Sequence, residues 1–404
     1  MNQDVSETPN TKKNSRTDGL RLQKVKTLQD LKVFYQVPFH LYQDNLYWVA
    51  PFWREIHGFF KKNNVFWSHA EAELFILWDH ETAVGRIAAI IDHAYCETME
   101  KQIGFFGFFE CINDYTAASV LFQAAEDWLV CKGMRIIQGP IDGRIDMGCG
   151  FLYDGFDVRP TILSTYTPAY YISHAERFGL RKSRDLFSYH IDLTAPLPKH
   201  LEEKSRQCIV QGVQVRRFNR LRSRRELSWW VDLFLQTFSG HWGFVPVSKE
   251  EVRTRFGVKQ IRWFVDSSLF LVAEWNRQPV AYLWATPDYN QVFQKMHGQL
   301  GPFQLLRFLL TKKTINTGKL HLIGIKGEFR NKNIGSLLNY QVLVEMKNRG
   351  YVGAEVGWID EQNTAAHITI ALTEARLSKK HRVFEKDLAE NVAQKDGRRE
   401  KPID

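Results

Sequence analysis

Long apolar segments are missing from this 404-residue sequence. No run approaches the roughly 18 apolar residues that a membrane helix needs, and the opening stretch MNQDVSETPNTKKNSR lacks the apolar core of a secretory signal. Cysteine is also scarce, with five residues scattered along the chain. An odd, dispersed set favours reduced thiols over a disulfide framework. We therefore expect a cytoplasmic protein, with a peripheral position on the inner face of a membrane as an open alternative.

Several motif classes are absent as well. The histidine, cysteine and acidic residues show no metal-ligand spacing, and no histidine is followed five residues later by the aspartate of glycerolipid-type acyltransferases. The glycine-rich stretch 139–155 is not followed by the GKS or GKT of a nucleotide-binding loop. Neither a helix-turn-helix pattern nor zinc spacing is present to recognise DNA bases. We expect no metal cofactor.

Positive charge and aromatic side chains are abundant instead. The formal net charge is +9, and aromatic residues make up 13% of the chain. A basic protein attracts acidic partners, which include phosphates, anionic lipid surfaces and nucleic acid. The arginine-rich run 216–225 is the best indication of nucleic acid. Because this run spans a predicted strand and helix start, a solvated face or a patch for anionic lipid explains it equally well.

The chain divides into two halves of similar plan. We predict disordered tails at 1–20 and 389–404, an N-terminal domain at 21–193, a linker at 194–212, and a C-terminal domain at 213–388. The proline-punctuated, charged sequence TAPLPKHLEEKSRQ marks the linker.

Both halves follow one order of predicted elements. Each opens with an alternating strand, at 22–26 and 213–218, and continues with a helix. Thr27 and Ser223 begin these helices with the spacing of capping boxes. Strand hairpins and long helices follow in both halves, and each half closes with a helix and a strand. The predicted fold class is α+β, with two tandem domains, each a mixed, mostly antiparallel sheet flanked by helices.

One strand-to-helix junction carries chemistry. The stretch 320–343 reads LHLIGIKGEFRNKNIGSLLNYQVL, an apolar strand, a short polar loop and a helix. The loop and first helical residues are Arg330, Asn331, Lys332, Asn333, Ile334, Gly335 and Ser336. Unpaired backbone N–H groups and the helix dipole favour an anion at such a junction. Arg330 and Lys332 add positive charge, and Gly335 would let a phosphate approach the backbone.

This junction resembles the pyrophosphate loop of the GNAT superfamily of acyl-CoA-dependent N-acyltransferases, which reads Arg/Gln-x-x-Gly-x-Gly/Ala. The stretch 330–335 fits except that Asn333 replaces the middle glycine, and asparagine accepts left-handed backbone angles better than most residues. A strand at 353–359 and a helix opened by Asn363 follow in the superfamily's order. The resemblance implies that acyl-CoA is the co-substrate.

The N-terminal half lacks a comparable loop. Its matching junction carries Glu110 and Asp114, which would repel a pyrophosphate. The resemblance is therefore to a tandem GNAT protein with one degenerate half and one working half.

The resemblance also implies roles for single residues. Backbone N–H groups around Ile325 and Lys326 would stabilise the oxyanion, and Asn363 would contact the CoA arm. Glu355 is the predicted base, because desolvation in an apolar strand would raise its pKa. A strand-edge glutamate that faces water is the open alternative. His381 is the predicted acid for the CoA thiolate, with a purely structural histidine as the alternative.

Two apolar segments indicate a hydrophobic acceptor. The stretch 301–319 mixes leucine and phenylalanine with basic residues, as a surface-seeking cationic helix does, and a core-packed helix is the alternative. His241, Trp242 and Phe244 lie in an aromatic loop where GNAT proteins usually contact the acceptor, and core packing is the alternative. With the N-terminal stretches GRIAAIIDHAY and GFFGFFE, the chain is similar to a bacterial subfamily of two-domain GNAT-like proteins that includes ceramide synthases.

The predicted function is transfer of an acyl group, long-chain by this resemblance, from acyl-CoA to an amine, with a sphingoid base as the implied acceptor. A small-molecule N-acetyltransferase and a non-enzymatic DNA-binding regulator are the alternatives. The expected partners are acyl-CoA and the amine, with contact to an anionic membrane left open and nucleic acid disfavoured.

Overall fold

A computed structural model gives the fold for residues 19–246, 249, 251 and 265–388. The predicted tails lie outside these described residues, apart from positions 19 and 20, and the first strand begins at Leu20.

The described residues form thirteen strands, all in one sheet. The strands are β1 (Leu20–Lys24), β2 (Ala70–Asp79), β3 (Thr82–Asp92), β4 (Ile103–Cys111), β5 (Ile136–Gly139), β6 (Phe151–Asp154), β7 (Arg181–Asp192), β8 (Gln214–Arg217), β9 (Phe270–Trp275), β10 (Gln278–Pro287), β11 (Thr317–Ile325), β12 (Gly353–Asp360) and β13 (Arg376–Asp387). The α-helices in the same ranges are α1 (Leu28–Leu41), α2 (Trp53–Phe59), α3 (His93–Met99), α4 (Tyr115–Cys131), α5 (Tyr170–Arg177), α6 (Lys199–Val210), α7 (Ser223–Phe238), α8 (Asn290–Phe293), α9 (Pro302–Thr311), α10 (Ile334–Asn348) and α11 (Thr364–Ala371).

The closing strands of the two halves exchange places. The sheet order is β1-β2-β3-β4-β5-β13-β7-β12-β11-β10-β9-β8, with β6 paired to β13 off this path. Thus β7 of the N-terminal half pairs with β12, and β13 of the C-terminal half pairs with β5. Arg382 on β13 forms an ion pair with Asp185 on β7, and its Nε lies 2.8 Å from Oδ1 of the carboxylate. The sheet is mixed and mostly antiparallel, as expected, while the domain boundaries at 193 and 213 remain predictions.

The two predicted capping boxes differ in outcome. At Thr27 the prediction is confirmed, because its side chain accepts from the Asp30 N–H and the Asp30 carboxylate accepts from the Thr27 N–H. At Ser223 the prediction is wrong. Ser223 lies inside the first turn of α7, and the carboxylate of Glu226 pairs instead with Arg216 at 2.8 Å.

Helices cover both faces of the C-terminal strands. On one face, α6 and α10 pack together, and the predicted linker, residues 194–212, contains α6 with Leu201 and Cys208 in this core. On the other face, α7 packs Trp230 and Val231 against β9 and β10. Within the described ranges, no helix combines the length and hydropathy that crossing a membrane requires.

Each half contains one pair of parallel strands that separates after a few residues. β4 and β5 pair from 103 to 105 on β4, and β11 and β12 pair from 317 to 320 on β11. Beyond these pairs a gap opens along one edge of β4 and of β11. One extra residue bulges each strand here, between Gly107 and Glu110 on β4 and at His321 on β11. The candidate site lies at the C-terminal gap.

Candidate active site

The loop between β11 and α10 presents a row of backbone N–H groups. Asn331 and Asn333 adopt left-handed backbone angles, with φ of 63° and 59°, so the expectation for Asn333 is confirmed. The first hydrogen bond of the helix runs from the Leu337 N–H to the Asn333 carbonyl at 3.0 Å. Among the described residues, no protein atom accepts from the N–H groups of Asn331 to Ser336, although Ile334 and Ser336 are themselves buried. These donors are therefore available to an anion.

Cationic side chains flank this row of donors. Arg330 and Lys332 are exposed. The Lys332 ammonium lies 5.0 Å from the ring centroid of Phe329 and 5.5 Å from that of Trp275. Burial lowers the pKa of His241, and the nearby charge of Arg330 lowers it further. Donors, helix dipole and two cations together suit a pyrophosphate.

Gly335 and Asn363 both stabilise the local structure of this site. A Cβ at Gly335 would lie 3.2 Å from Cγ2 of Thr369 and 3.6 Å from Cδ1 of Ile325, so glycine lets α10 approach α11 and β11 closely. The Asn363 side chain caps α11 by accepting from the Ala366 N–H at 3.1 Å. Close approach of a phosphate to Gly335 and contact of Asn363 with the CoA arm remain predictions.

The two predicted oxyanion donors, the N–H groups of Ile325 and Lys326, differ in whether a carbonyl already accepts from them. The prediction for Lys326 is wrong, because its N–H already donates to the Val280 carbonyl at 3.0 Å. Since N–H directions alternate along a strand, the N–H groups of Ile325 and Ile323 point away from β10 and toward the gap. Ile325 therefore stays a candidate donor, and Ile323 joins it.

Glu355 lies between two lysines in the interior. Its Oε1 accepts from Lys319 Nζ at 2.7 Å and from Thr161 Oγ1 at 2.5 Å, and its Oε2 pairs with Lys379 Nζ. The two lysines are each 1% exposed and Glu355 is 4% exposed. Burial alone would raise the pKa of Glu355, but the two ammonium groups outweigh it and hold that pKa well below its usual range.

The expected rise in the pKa of Glu355 is therefore wrong, and so is the alternative of a glutamate facing water. Both oxygens of this carboxylate are already engaged, Oε1 by Lys319 and Thr161 and Oε2 by Lys379, so neither is open to an amine. We therefore do not retain Glu355 as the general base, and its visible role is to neutralise buried positive charge.

His381 is a buried, neutral imidazole on β13. Its Nε2 lies 3.1 Å from the Thr165 carbonyl, which can only accept, so Nε2 carries the proton and Nδ1 holds the lone pair. Within the described residues, Nδ1 has no hydrogen-bond partner. Burial lowers the pKa of His381 to about 4. The predicted acid role is wrong for this state, because the one N–H is already donated to Thr165.

A small cavity adjoins His381. Its volume for water-sized groups is about 10 Å³, and it is lined by Ile145, Gly148, Cys149, Leu163, Ser164, Thr165, Trp358 and His381. A cavity of this size has room for a group about as large as one water molecule, and a whole lipid does not fit. Trp358 belongs to β12, just past the point where β11 and β12 separate.

The aromatic loop 240–246 lies between the two halves. Trp242 has its ring centroid 6.2 Å from that of Trp358, and Arg184 stacks 5.1 Å from the Trp242 ring. Phe244 packs against Phe234 of α7 with centroids 6.0 Å apart, and His241 lies 3.2 Å from the Phe238 carbonyl. Trp242 is thus beside the cavity, while Phe244 serves the packing of α7.

The gap of the N-terminal half is filled by its own chain. After β5, the Ile141 N–H donates to the Phe106 carbonyl at 2.8 Å. The Asp142 carboxylate accepts from the Phe108 N–H at 2.6 Å. A Cβ at Gly107 would lie 2.2 Å from the Ile141 oxygen, which shows how tightly this segment covers β4. At the head of α4, Asp114 caps the Thr116 N–H with its own side chain at 2.7 Å.

Sequence reasoning missed several polar residues around the C-terminal gap. Lys319 and His321 lie on β11, and Lys379 reaches Glu355 from β13. The ring of His321 stacks on Trp284 with centroids 4.7 Å apart, and burial lowers its pKa to about 3. The one available signal was the presence of charged or titratable residues inside the otherwise apolar strand sequence TGKLHLIGI.

Comparison with known proteins agrees with this geometry. Residues 229–371, which include the loop 330–336 (the cradle loop) and α11, match the Acetyltransferase (GNAT) family. The chain therefore contains a GNAT acetyltransferase domain over these residues. A curated protein called bacterial ceramide synthase, from Caulobacter vibrioides (strain NA1000 / CB15N), is 29% identical over 90% of this chain and 96% of its own length. Protein YghO of Escherichia coli (strain K12) is 28% identical over 89% of this chain and 93% of its own length.

A solved structure supports the tandem arrangement of this GNAT chain. A tandem GNAT protein from the clavulanic acid biosynthesis pathway superposes with a TM-score of 0.54, and the match covers 91% of this chain and 98% of that protein. The two chains share 7% sequence identity, so this likeness concerns the fold alone. The chain is thus built from two GNAT-like halves. The match of residues 229–371 supports an N-acyltransferase, and the GNAT family uses acyl-CoA as co-substrate.

Proposed function

We propose that this GNAT enzyme transfers a long-chain acyl group from acyl-CoA to the amino group of a lipid, with a sphingoid base as the leading acceptor. The observation that carries the proposal is the open row of N–H donors from Asn331 to Ser336 at the head of α10. This row adjoins the gap between β11 and β12. The similarity to a protein called bacterial ceramide synthase along nearly the whole chain supports a lipid amine.

In this proposal the loop holds the pyrophosphate of acyl-CoA. Arg330 and Lys332 supply positive charge, and the left-handed turns at Asn331 and Asn333 orient the donors. The acyl carbonyl would meet the outward N–H of Ile323 or Ile325 at the edge of β11. Asn363, at the head of α11, is kept as a proposed contact to the CoA arm.

We assign the role of general base to His381 and propose that its Nδ1 takes a proton from the acceptor amine. The amine nitrogen forms a bond to the thioester carbonyl carbon, the carbon–sulfur bond breaks, and the thiolate leaves with the electron pair. The proton removed from nitrogen can then neutralise the thiolate. An unprotonated nitrogen without a partner among the described residues, on a histidine that lines the cavity, favours this role.

The acceptor amine would enter the cavity beside Trp242 and Trp358. The small volume suits an amino head group, and the hydrocarbon of a lipid would remain outside. His241, which lies near Arg330, and the packing residue Phe244 are kept as proposed neighbours of this entrance. The exposed helix α9 adds a contact with an anionic membrane to the proposal.

Two alternatives are less well supported. A small-molecule N-acetyltransferase would use the same loop and differ only in acyl length and acceptor. A DNA-binding regulator would need its arginine-rich run free, yet Arg216 is engaged by Glu226 and Glu274 at 2.8 and 2.7 Å.

The proposal is tested by incubating purified protein with palmitoyl-CoA or acetyl-CoA and with sphinganine or a short water-soluble amine. Products are identified by mass spectrometry. We expect N-palmitoyl sphinganine as the favoured product, and its absence in the Asn333→Asp variant. Preference for acetyl-CoA and the short amine would support the small-molecule alternative. Absence of any acyl transfer would overturn the proposal.

A further inference from the structure

Helix α9 exposes an apolar face to solvent. None of its residues is buried. Phe303 is 72% exposed and Leu310 is 69% exposed. Other large apolar side chains that share this exposure are Leu300, Leu305, Leu306 and Leu309. The sequence alternative of a core-packed helix is therefore wrong, and a contiguous exposed patch of this kind marks an interaction surface. We call these six side chains the α9 patch.

The helix is fixed to the protein through its opposite side. The Phe308 ring lies 5.9 Å from Phe293 and 5.7 Å from Tyr289, centroid to centroid. Phe308 thereby joins a small core that includes Val292 and Ile315. This anchor does not involve the α9 patch.

The segment that carries the α9 patch has charge of one sign. No aspartate or glutamate occurs between Asp288 and Glu328. The same stretch contains six lysine and arginine residues: Lys295, Arg307, Lys312, Lys313, Lys319 and Lys326. Lys319 is buried against Glu355, and the exposed cations Arg307, Lys312 and Lys313 lie on or directly after α9. Apolar side chains bordered by cations, in a segment without acidic residues, match the surface of an anionic bilayer.

We propose that the α9 patch docks this protein on an anionic lipid bilayer, with leucine and phenylalanine side chains in the acyl boundary and Arg307, Lys312 and Lys313 at the lipid phosphates. The proposal rests on the proposed function, because it explains how an amine with a long hydrocarbon chain reaches a cavity too small to enclose it. Only the amino head group has to leave the membrane surface.

The position of α9 relative to the cavity supports this reading. Leu163 lines the cavity and is 62% exposed. The segment around it is tied to the start of α8, where the Ile162 N–H donates to Asp288 Oδ1 at 3.0 Å and Asn290 Nδ2 donates to the Pro160 carbonyl at 2.9 Å. Since α8 packs directly on α9 through Phe293 and Phe308, the cavity mouth is connected to α9 through one short helix.

Vesicle flotation tests the docking directly. The full chain is mixed with vesicles of phosphatidylcholine alone or of equal parts phosphatidylcholine and phosphatidylglycerol. We expect binding to the anionic vesicles that weakens with salt, and a loss of about tenfold or more in Leu306→Glu/Leu309→Glu. The matched control Ile209→Glu/Val210→Glu places the same two charges on exposed apolar positions of α6 and should bind like wild type.

The outcomes separate docking from catalysis. With palmitoyl-CoA and a short water-soluble amine, the Leu306→Glu/Leu309→Glu variant should keep wild-type activity, while its activity on vesicle-borne sphinganine should fall in step with binding. Equal vesicle binding by this variant and wild type would overturn the docking proposal, as would binding to neutral and anionic vesicles alike. The docking proposal would also be overturned if wild type self-associates or binds duplex DNA and the Leu306→Glu/Leu309→Glu variant does not. Either result would show that the α9 patch binds a second copy of the chain or DNA instead of lipid. A wild type that docks without acyl transfer would contradict only the proposed function.

Discussion

The two halves of this chain share a plan and differ at one place. In both, a bulged strand runs beside a parallel strand that soon diverges, and a helix begins at the end of the bulged strand. In the C-terminal half, no described residue accepts from the outward N–H groups of β11 or from those at the head of α10. In the N-terminal half, Ile141 and Asp142 occupy the edge of β4, and Asp114 occupies the head of α4. The capacity to bind acyl-CoA therefore depends on what fills the gap, since both halves have the topology.

The two halves also differ in the surroundings of a buried carboxyl group. In the N-terminal half, Glu110 accepts from the hydroxyl groups of Tyr42 and Tyr171, both at 2.9 Å, and lies 3.7 Å from Arg86. Burial raises the pKa of Glu110 to about 7. In the C-terminal half, Glu355 is held ionised between two lysines. The buried carboxyl group of the N-terminal half therefore takes up a proton more readily than that of the C-terminal half.

The largest expected effect comes from the charged interior. Glu355→Gln would leave Lys319 and Lys379 buried without a counter-charge, and we expect a loss of about 3–5 kcal/mol in the free energy of unfolding. Urea unfolding measures this loss. Glu361→Gln, which breaks a pair with the 40% exposed Lys182, is the control and should cost less than about 1 kcal/mol. Equal unfolding midpoints for the two variants would contradict the account of Glu355.

Histidines in the two halves provide the next test. His381→Gln should lower kcat by about 100-fold or more while KM for acyl-CoA and the unfolding midpoint change little, because glutamine offers no basic nitrogen. His174→Gln is the matched control, since His174 is also buried, with a lowered pKa and an Nε2 that has no partner among the described residues. Similar kcat losses in both variants would show that burial, not base catalysis, explains the effect.

The smallest expected effect is on the pH dependence of stability. One buried group in each half contributes to it, and the two contributions have opposite signs. Because the pKa of Glu110 is raised from 4.5 to about 7, stability from this group is lost as pH rises through that window. His381, lowered from 6.5 to about 4, gives stability that is lost as pH falls from 6.5 toward 4. Glu110→Gln should therefore remove part of the decline above pH 4.5, by at most about 1.4 kcal/mol per pH unit. A variant with the wild-type pH profile of unfolding would contradict the raised pKa.

The sequence predicted the features that depend on local order. The duplication, the hairpins, the cradle loop and the left-handed Asn333 could all be found from spacing, because each is set by neighbouring residues. The exposure of α9 remained open, since an amphipathic pattern fits a core-packed helix and a surface helix equally well. Only the tertiary contacts of Phe308 decide which side of the helix packs.

The charged interior could not be predicted from local order. Lys379 meets Glu355 only because β13 and β7 exchange places between the halves, and Thr161 arrives from a third segment. The base role for Glu355 was inferred from the apolar neighbours on its own strand. Those neighbours indicate burial, but they carry no information about the cations that other strands bring to the carboxylate.

The most direct test of the account is the number of CoA molecules bound per chain, measured by calorimetric titration. We predict one site in wild type and in Asn348→Asp, which alters the exposed far end of α10. We predict no site in Asn333→Asp, because its carboxylate faces the same open N–H groups as a phosphate would. Asp114→Asn should gain no second site, since Ile141 and Asp142 still fill the N-terminal gap. Two sites in wild type, or one site that survives Asn333→Asp unchanged, would contradict the account.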